Sequence, residues 1–442
     1  MNAWIRLCVR LALVLVVAGI AMGCGGSGGL LTLDRIGKED APKTMTVQLN
    51  NSYTHQNATT QSWADGFEKL FTKFAKEHPD WKLELKIIPD AQTTQEQARL
   101  LEQARVGRAP DCANVDSFVV AQFIEQGALK PLPVSQEEID GLFPFVKDVV
   151  VDDDGKMYAY WWATDVRVLY RRTDLVPEAP RTWDELIQSA KAAKQKDSKV
   201  DGYLFNGGRW EGTTFDNLAH FWSQGGELVD DQGKPIFGEG KNRTYMINTM
   251  NFLKEAVDSG ASPKQVVTIT DYAEFEAAAQ AQTVAMFQGG DFQYPPLKES
   301  LPPEQFKKYE ISLLPTMNPN DPQNTGTGGW TMGAFSDDPE KVKMCAEFTK
   351  DVYVGAGNQV TGQLPTNPEL FDSLDKFQDP IYDQFKEALT YGEARPGVPV
   401  YPEISTQLQI AIGTVLTGEA TPEEAVDTAY KASLSAYNEL KK

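Results

Sequence analysis

Four short stretches of the chain place aromatic side chains beside acidic or small residues. They are Trp161-Trp162 followed by Asp165, Trp210-Glu211, Asp291-Phe292 and Gly329-Trp330. A sugar ring offers an apolar C–H face that packs on an aromatic ring, and a rim of hydroxyl groups that hydrogen-bond strongly to carboxylates. These residue types therefore indicate carbohydrate recognition. The simpler interpretation is that the aromatic rings fill the core and the acids are solvated.

The adjacent tryptophans need a separate remark. Trp161 and Trp162 fall in a predicted strand, where neighbouring side chains point to opposite faces. We therefore expect at most one of them to line any single cleft.

Common signatures of catalysis and metal binding are missing from the sequence. His55, His78 and His220 are far apart, and HExxH, paired CxxC, GxSxG and P-loop patterns do not occur. We expect no catalytic residue, no cofactor and no metal. Carboxylates spaced for glycoside hydrolysis are a tertiary feature, so a secreted glycoside hydrolase or lyase stays open as an alternative.

The elements that must position these residues alternate between strand and helix. Apolar residues recur with period two at 45–49, 83–87, 110–115, 156–160 and 166–171, and with helical period at 63–74, 95–106 and 118–125. Thr182 and Thr421 begin capping boxes, and 315–329 is predicted to be a long polar loop. This alternation is typical of an α/β fold.

Length and charge set further limits. The chain has 442 residues, with 42 Lys and Arg against 62 Asp and Glu, and a formal net charge of −20. Its length exceeds the roughly 100–200 residues of one ordinary domain, so we expect more than one lobe. The acidic balance argues against nucleic-acid binding through a broad basic surface.

The N-terminus has the pattern of a secretory lipoprotein signal. Arg6 and Arg10 precede an apolar run at 11–20, which is shorter than the ~20 residues that span a bilayer. Cys24 follows the small-residue stretch that ends at Gly23, as in bacterial signals whose cysteine receives a lipid and becomes the new N-terminus. We therefore expect a signal peptide at 1–23, lipidation of Cys24, a flexible tether at 24–43 and an extracytoplasmic location on the bacterial cell membrane.

Two cysteines remain for the mature protein. Cys112 and Cys345 could form a disulfide in an oxidising compartment, or could be two buried thiols. The sequence favours neither.

A set of motifs in a fixed order resembles the solute-binding proteins of ABC sugar importers of the maltose and trehalose type. The matching segments are PD at 110–111 with GAL at 127–129, GKMYA at 155–159, LYRRTDL at 169–175, RTWDEL at 181–186, AMFQGG at 285–290 and LTGEATPEEA at 416–425. Each segment alone is weak, whereas their order and spacing together are specific.

The resemblance implies a periplasmic-binding-protein-like fold of type II, with two α/β lobes joined by crossover strands. One lobe would contain residues 44–160 and 316–375, and the other residues 161–315 and 376–442. It also implies which positions contact a ligand. These are Asp116, Ser117, Phe118, Asp165, Trp210, Glu211, Phe292, Gly329, Trp330 and Arg395. The aromatic and acidic stretches themselves add Trp161, Trp162 and Asp291 as candidate ligand contacts.

The resemblance further implies a function without catalysis. A monomeric, lipid-anchored subunit would capture a di- or oligosaccharide between its lobes and deliver it to ABC permease subunits in the membrane. Ser405 lies on the helix where members that bind maltose often place an aromatic residue, which argues against maltodextrin as the ligand. A non-sugar solute on the same fold is a further alternative.

Overall fold

The structure, a computed structural model, describes residues 29–56, 58–89 and 93–441. The predicted signal peptide and Cys24 lie outside these residues. Strands and helices alternate along the described chain, which confirms the α/β class expected from the sequence.

Two β-sheets organise the described residues. The larger has eight strands: β1 (Leu31–Thr32), β2 (Arg35–Ile36), β3 (Lys43–Asn50), β4 (Trp81–Ile88), β5 (Cys112–Asp116), β6 (Ala159–Asp165), β11 (Thr325–Ala334) and β12 (Gly392–Ala394). The smaller has four: β7 (Arg167–Arg172), β8 (Asp201–Leu204), β9 (Val284–Gly290) and β10 (Tyr309–Ser312). Neighbouring strands follow the order β1-β2-β4-β3-β5-β11-β12 in the larger sheet, where β6 also pairs with β11, and β10-β7-β9-β8 in the smaller.

Helices flank both sheets. They are α1 (Gln61–Glu77), α2 (Thr93–Arg105), α3 (Val120–Glu125), α4 (Gln136–Asp140), α5 (Pro144–Val150), α6 (Trp183–Lys196), α7 (Glu211–Trp222), α8 (Gly240–Asp258), α9 (Ala273–Gln280), α10 (Tyr294–Ser300), α11 (Pro303–Phe306), α12 (Pro339–Val352), α13 (Ala356–Thr361), α14 (Glu369–Ser373), α15 (Ile381–Leu389), α16 (Tyr401–Thr417) and α17 (Pro422–Leu440). None of the helices among these residues is long and apolar enough to cross a membrane.

Local sequence signals explain why the helices start and face as they do. The side chain of Thr60 accepts a hydrogen bond from the Trp63 backbone at the start of α1, whose Phe67, Phe71 and Phe74 are buried on one face. Thr421 forms the predicted capping box with Glu424. At Thr182 only half of the expected box forms, because the Glu185 carboxylate accepts from the Arg181 backbone instead.

Part of the predicted tether is folded onto the first sheet. β1 and β2 form a hairpin whose second strand pairs with β4, and Ile36 is fully buried. Gly37 has φ of +99° and an added Cβ would lie 2.2 Å from the Trp81 carbonyl oxygen, so this tight approach requires glycine. The folded part of the chain thus begins before residue 44. The hairpin covers the edge of β4, which would otherwise be a free sheet edge.

Within the described residues, the chain passes at three places between the first sheet and either the second sheet or the helices beside it. Val166 alone separates β6 from β7, residues 313–324 connect β10 to β11, and residues 395–400 connect β12 to α16, which packs on α7 and α8. Hydrogen bonds between Arg167 and the Thr325 hydroxyl hold the start of β7 against the start of β11. The lobe boundaries assigned from the sequence stay a prediction.

The predicted polar loop at 315–329 is shorter than expected. Its last residues already belong to β11, because Thr325–Thr327 pair with β12 and Gly328 and Gly329 pair with β6. The stretch TGTGG lacks the apolar alternation that marks a strand, and its pairing depends on partners distant in sequence.

A disulfide links the first sheet to a helix that packs on it. Cys112 on β5 is bonded to Cys345 on α12 at a sequence separation of 233, and both side chains are fully buried. The loop that this bond closes contains the whole second sheet. Of the two alternatives left by the sequence, the structure supports the disulfide.

We predict that reducing this disulfide destabilises the protein by roughly 2–5 kcal/mol, since the reduced unfolded chain gains entropy when so long a loop is released. Thermal unfolding with and without reductant measures the effect. The Cys112→Ala/Cys345→Ala variant is the control, and its melting temperature should be low and insensitive to reductant. A fully reduced wild-type protein with an unchanged melting temperature would contradict the prediction.

Candidate ligand-binding site

Arg395 contacts both halves of the molecule, where a half means one β-sheet with the helices packed on it. It follows β12, and its Nη2 donates to Asp116 Oδ1 at 2.8 Å, while its Nη1 donates to Glu211 Oε1 at 3.0 Å. Asp116 ends β5 of the first sheet, and Glu211 is the first residue of α7 beside the second sheet. One buried guanidinium, 5% exposed, therefore bridges carboxylates from both halves.

The Glu211 carboxylate has further partners on α16. Its Oε1 accepts from the Tyr401 hydroxyl at 2.8 Å, and its Oε2 accepts from the Ser405 hydroxyl. Ser405 therefore serves as a hydrogen-bond donor to Glu211. We call Arg395, Asp116, Ser117, Glu211, Tyr401 and Ser405 the Arg395 cluster.

A short turn presents the first-sheet side of this cluster. Asp116 caps the turn at Ser117–Val119 by accepting from the Phe118 backbone, and the Ser117 hydroxyl lies 3.4 Å from Arg395 Nη2. The Phe118 ring lies under the guanidinium, with its centroid 4.7 Å from Arg395 Cζ. Asp116, Ser117, Phe118, Glu211 and Arg395, which the sequence assigned to the site separately, thus lie together.

A second buried guanidinium, that of Arg167 at the start of β7, lies near the first. Its Nε donates to Asp216 Oδ1, its Nη1 lies 3.1 Å from Asp165 Oδ1, and its Nη2 donates to the Tyr272 hydroxyl at 3.1 Å. Asp216 also accepts from Tyr272 and Asn206. These five residues form the Arg167 cluster, in which the predicted contact Asp165 is fixed in orientation.

Phe215 on α7 connects the two clusters. Its ring centroid lies 4.0 Å from Arg395 Cζ and 4.2 Å from Arg167 Cζ. On β11, a Cβ added at Gly326 would lie 2.7 Å from the Phe215 ring, and one at Gly328 would lie 2.6 Å from Arg395 Nη2. Glycine at these two positions therefore makes room for the ring and the guanidinium.

Aromatic rings extend from the Arg167 cluster. Tyr272 makes edge contacts with Trp210 and with Phe292, each with centroids 4.9 Å apart. The Phe292 centroid lies 5.4 Å from Arg167 Cζ. The Trp210 Nε1 is buried and has no partner among the described residues. The predicted contacts Trp210 and Phe292 thus belong to one aromatic wall that the unpredicted Tyr272 joins.

Asp291 lies where the chain crosses between the sheets. Its Oδ1 accepts from the Val166 backbone at 2.8 Å, and its Oδ2 has no partner in the described part of the chain. The side chain is only 1% exposed. Burial, with the nearby Asp165 carboxylate, raises the pKa of Asp291 well above its usual range.

Gly329 and Trp330 lie on β11 next to the Arg395 cluster. Trp330 faces Asp116 across the β5–β11 ladder and is partly exposed, and a β-bulge follows it. Gly329 has φ of +131°, and an added Cβ would lie 2.0 Å from the Ala163 carbonyl oxygen. The glycine therefore permits the close approach of β11 to β6 just before the bulge.

Trp161 and Trp162 are placed differently from the other predicted contacts. Trp161 packs edge-on against Phe145, and Trp162 lies between Tyr53 and Tyr353, with centroids 4.9 and 5.0 Å away. Both indoles are 2% exposed or less. The structure brings neither to the two clusters, because hydrophobic packing holds both sides of β6 at these positions.

Carboxylates outnumber cations in this region. Desolvation raises the pKa of Asp116 to about 6, against the opposing effect of Arg395, and it also raises that of Asp216. Burial alone would lower the pKa of Arg395, but Asp116 and Glu211 raise it above its usual value. Both guanidinium groups therefore stay charged, and acceptors are in excess.

The described residues contain no group of three His, Cys, Asp or Glu side chains placed to hold a metal ion. What the site offers is a set of buried acceptors, two guanidinium groups and several aromatic faces. Such a set can bind a polyhydroxylated ring through its hydroxyl rim and its apolar face.

Comparison with known proteins places the chain in a family. Residues 69–383 match the family described as bacterial extracellular solute-binding protein. A probable ABC transporter-binding protein of Deinococcus radiodurans is 28% identical over 294 residues, which cover 62% of this chain and 67% of that protein. The galactooligosaccharide-binding protein of Bacillus subtilis is 22% identical over 386 residues, which cover 83% of this chain and 85% of that protein.

A solved structure shows the same architecture. Maltose-bound MalE3 of T. maritima superposes with a TM-score of 0.75 at 23% identity, over 88% of this chain and 98% of that chain. This likeness confirms the predicted fold, the two-lobed α/β fold of periplasmic-binding-protein type. The family resemblance drawn from the sequence motifs is also confirmed: the chain belongs to the bacterial extracellular solute-binding proteins.

Proposed function

We propose that this protein is the carbohydrate-capturing subunit of an ABC importer. The observation that carries the proposal is the Arg395 cluster, which joins acceptors and donors from both halves beside the aromatic residues Phe118 and Phe215. The printed names of its relatives, an ABC transporter-binding protein and a galactooligosaccharide-binding protein, support this function.

Ligand capture would use the hinge between the halves. Each half would bind one side of the sugar, and the three crossings between the sheets would let them separate and close. A sugar hydroxyl inserted between Asp116 and Arg395 would donate to the Asp116 carboxylate and accept from the Arg395 guanidinium. The closed, ligand-bound form would then dock on the permease subunits.

We propose that the protein acts outside the cytoplasm as a monomer anchored by lipid on Cys24. The family name is that of extracellular proteins, which supports the location. Only seven positions separate Cys24 from Leu31 in the folded hairpin, so the fold would lie within about 25 Å of its anchor. A short anchor of this kind keeps the subunit near its permease.

The proposed role is binding without turnover. The relatives named above are binding proteins. In each of the two clusters, one guanidinium is ion-paired with two carboxylates, an arrangement suited to holding a ligand. A glycoside hydrolase or lyase would use the same residue types, so product formation is the discriminating observation.

We predict that isothermal calorimetry with maltose, cellobiose, trehalose and galactobiose detects binding of at least one sugar. Asp165→Asn and Trp330→Ala should each weaken that binding by roughly tenfold or more, since each removes a ligand contact worth on the order of 1–3 kcal/mol. Asp337→Asn, at a residue whose side chain is 92% exposed, is the matched control and should bind like wild type.

Two results would contradict this prediction. Binding of no sugar in the panel would remove the carbohydrate assignment. Release of monosaccharides during incubation, followed by chromatography, would replace the transport role with a hydrolytic one.

We also predict that Cys24→Ala moves the protein from the membrane fraction to the soluble fraction of its bacterial host. The reason is that the lipid chains on this sulfur supply the anchoring free energy. Immunoblotting of the fractions measures the shift, and Cys8→Ala is the control within the signal peptide. A Cys24→Ala variant that stays in the membrane fraction would contradict lipid anchoring.

A further inference from the structure

We propose that the ligand is a glycoside carrying a protonated amine and that sugars bearing a carboxylate or phosphate are excluded. This inference rests on the proposed carbohydrate-binding function and makes its ligand class specific. It follows from how charge and hydrogen-bonding capacity are distributed among the buried side chains that join the two halves.

Both cations of the site are already paired with two carboxylates each. Arg395 is bound by Asp116 and Glu211, and Arg167 is bound by Asp165 and Asp216. Each guanidinium also lies close to the Phe215 ring, with both distances near 4 Å. An anionic ligand that took either cation as its ion-pair partner would displace a carboxylate, and that carboxylate would stay buried without a counter-ion.

A further carboxyl group has no cation of its own. Asp291 uses one oxygen to accept from the Val166 backbone, and its other oxygen is unpartnered among the described residues while the side chain is 1% exposed. The clusters and Asp291 together contain two guanidinium groups and five carboxyl groups, which are Asp116, Asp165, Glu211, Asp216 and Asp291.

The excess of acidic groups has a cost that a cationic ligand relieves. Several of these carboxyls have a raised pKa because they are desolvated near one another. An ammonium group donates three hydrogen bonds and brings a positive charge into a site of low dielectric constant, where charge-assisted hydrogen bonds are strong. A neutral sugar hydroxyl can donate one hydrogen bond and brings no charge.

The unpartnered donors fit the rest of such a ligand. Arg395 Nε and Trp210 Nε1 are buried and have no acceptor in the described part of the chain, and Arg167 Nη1 is ion-paired with Asp165 without forming a hydrogen bond. Hydroxyl and ring oxygens of a glycoside would supply those acceptors. A glycoside with one amine therefore matches both the excess of carboxyl groups and the small number of free donors.

The test compares matched probes by calorimetry in buffer of neutral pH and low ionic strength. Neutral probes are cellobiose and trehalose, the amino probes are the β-1,4-linked glucosamine dimer and trehalosamine, and the anionic probe is digalacturonate. We expect at least one amino probe to bind about tenfold or more tightly than its neutral counterpart. We also expect this ratio to shrink with added salt and digalacturonate to bind more weakly than any neutral probe.

Variants show whether the acids cause the preference. Asp291→Asn and Asp165→Asn should lower the ratio of amino to neutral affinity, whatever they do to affinity itself, whereas Asp337→Asn should leave the ratio unchanged. The N-acetylated glucosamine dimer is the control for charge, since it keeps the nitrogen at the same position but carries no positive charge. Circular dichroism of each variant establishes that it is folded.

The outcomes separate this inference from the function beneath it. Neutral and amino probes of equal affinity, or tight binding of digalacturonate, would overturn the ligand class while leaving a sugar-binding protein. Binding of none of the probes would overturn the carbohydrate function and this inference with it.

Discussion

Burying a guanidinium group costs desolvation free energy that neighbouring carboxylates must offset. This requirement shapes how the two halves of the protein meet. Arg395 is almost fully buried and is neutralised by Asp116 from the first sheet and by Glu211 from α7. Removing a partner from such a buried pair costs on the order of 3–5 kcal/mol. Arg395 therefore adds a buried ion-pair contact to the hydrogen bonds, such as those between Arg167 and Thr325, that also join the halves.

The surrounding chain is arranged around this contact. Gly326 and Gly328 leave room for Phe215 and Arg395, the bulge after Trp330 bends β11 beside Asp116, and Ser405 completes the partners of Glu211. Phe215 in turn touches Arg167, which orients Asp165. A ligand that binds between Asp116 and Glu211 would thus act on both halves at once, which is what a closing binding protein requires.

The sequence predicted the α/β class and the capped helix at Thr421, and it named Asp116, Glu211 and Arg395 as candidate ligand contacts, which the structure brings together. It missed Phe215, Asp216, Tyr272 and Tyr401, because their roles depend on contacts between elements far apart in the chain. Helical phase could have indicated Phe215, since it lies four residues after Glu211 on the same helix. Trp161 and Trp162 show the converse, since an aromatic pair beside an acid was equally compatible with the core that they occupy.

The central claim, that Arg395 holds the two halves together, is tested most directly by small-angle X-ray scattering of the sugar-free protein. Arg395→Gln leaves Asp116 and Glu211 without their shared cation, so we predict a larger radius of gyration than for wild type. Arg243→Gln, which removes a bidentate pair with Asp427 on the surface away from this contact, should match wild type. An unchanged radius of gyration in folded Arg395→Gln protein would contradict the account.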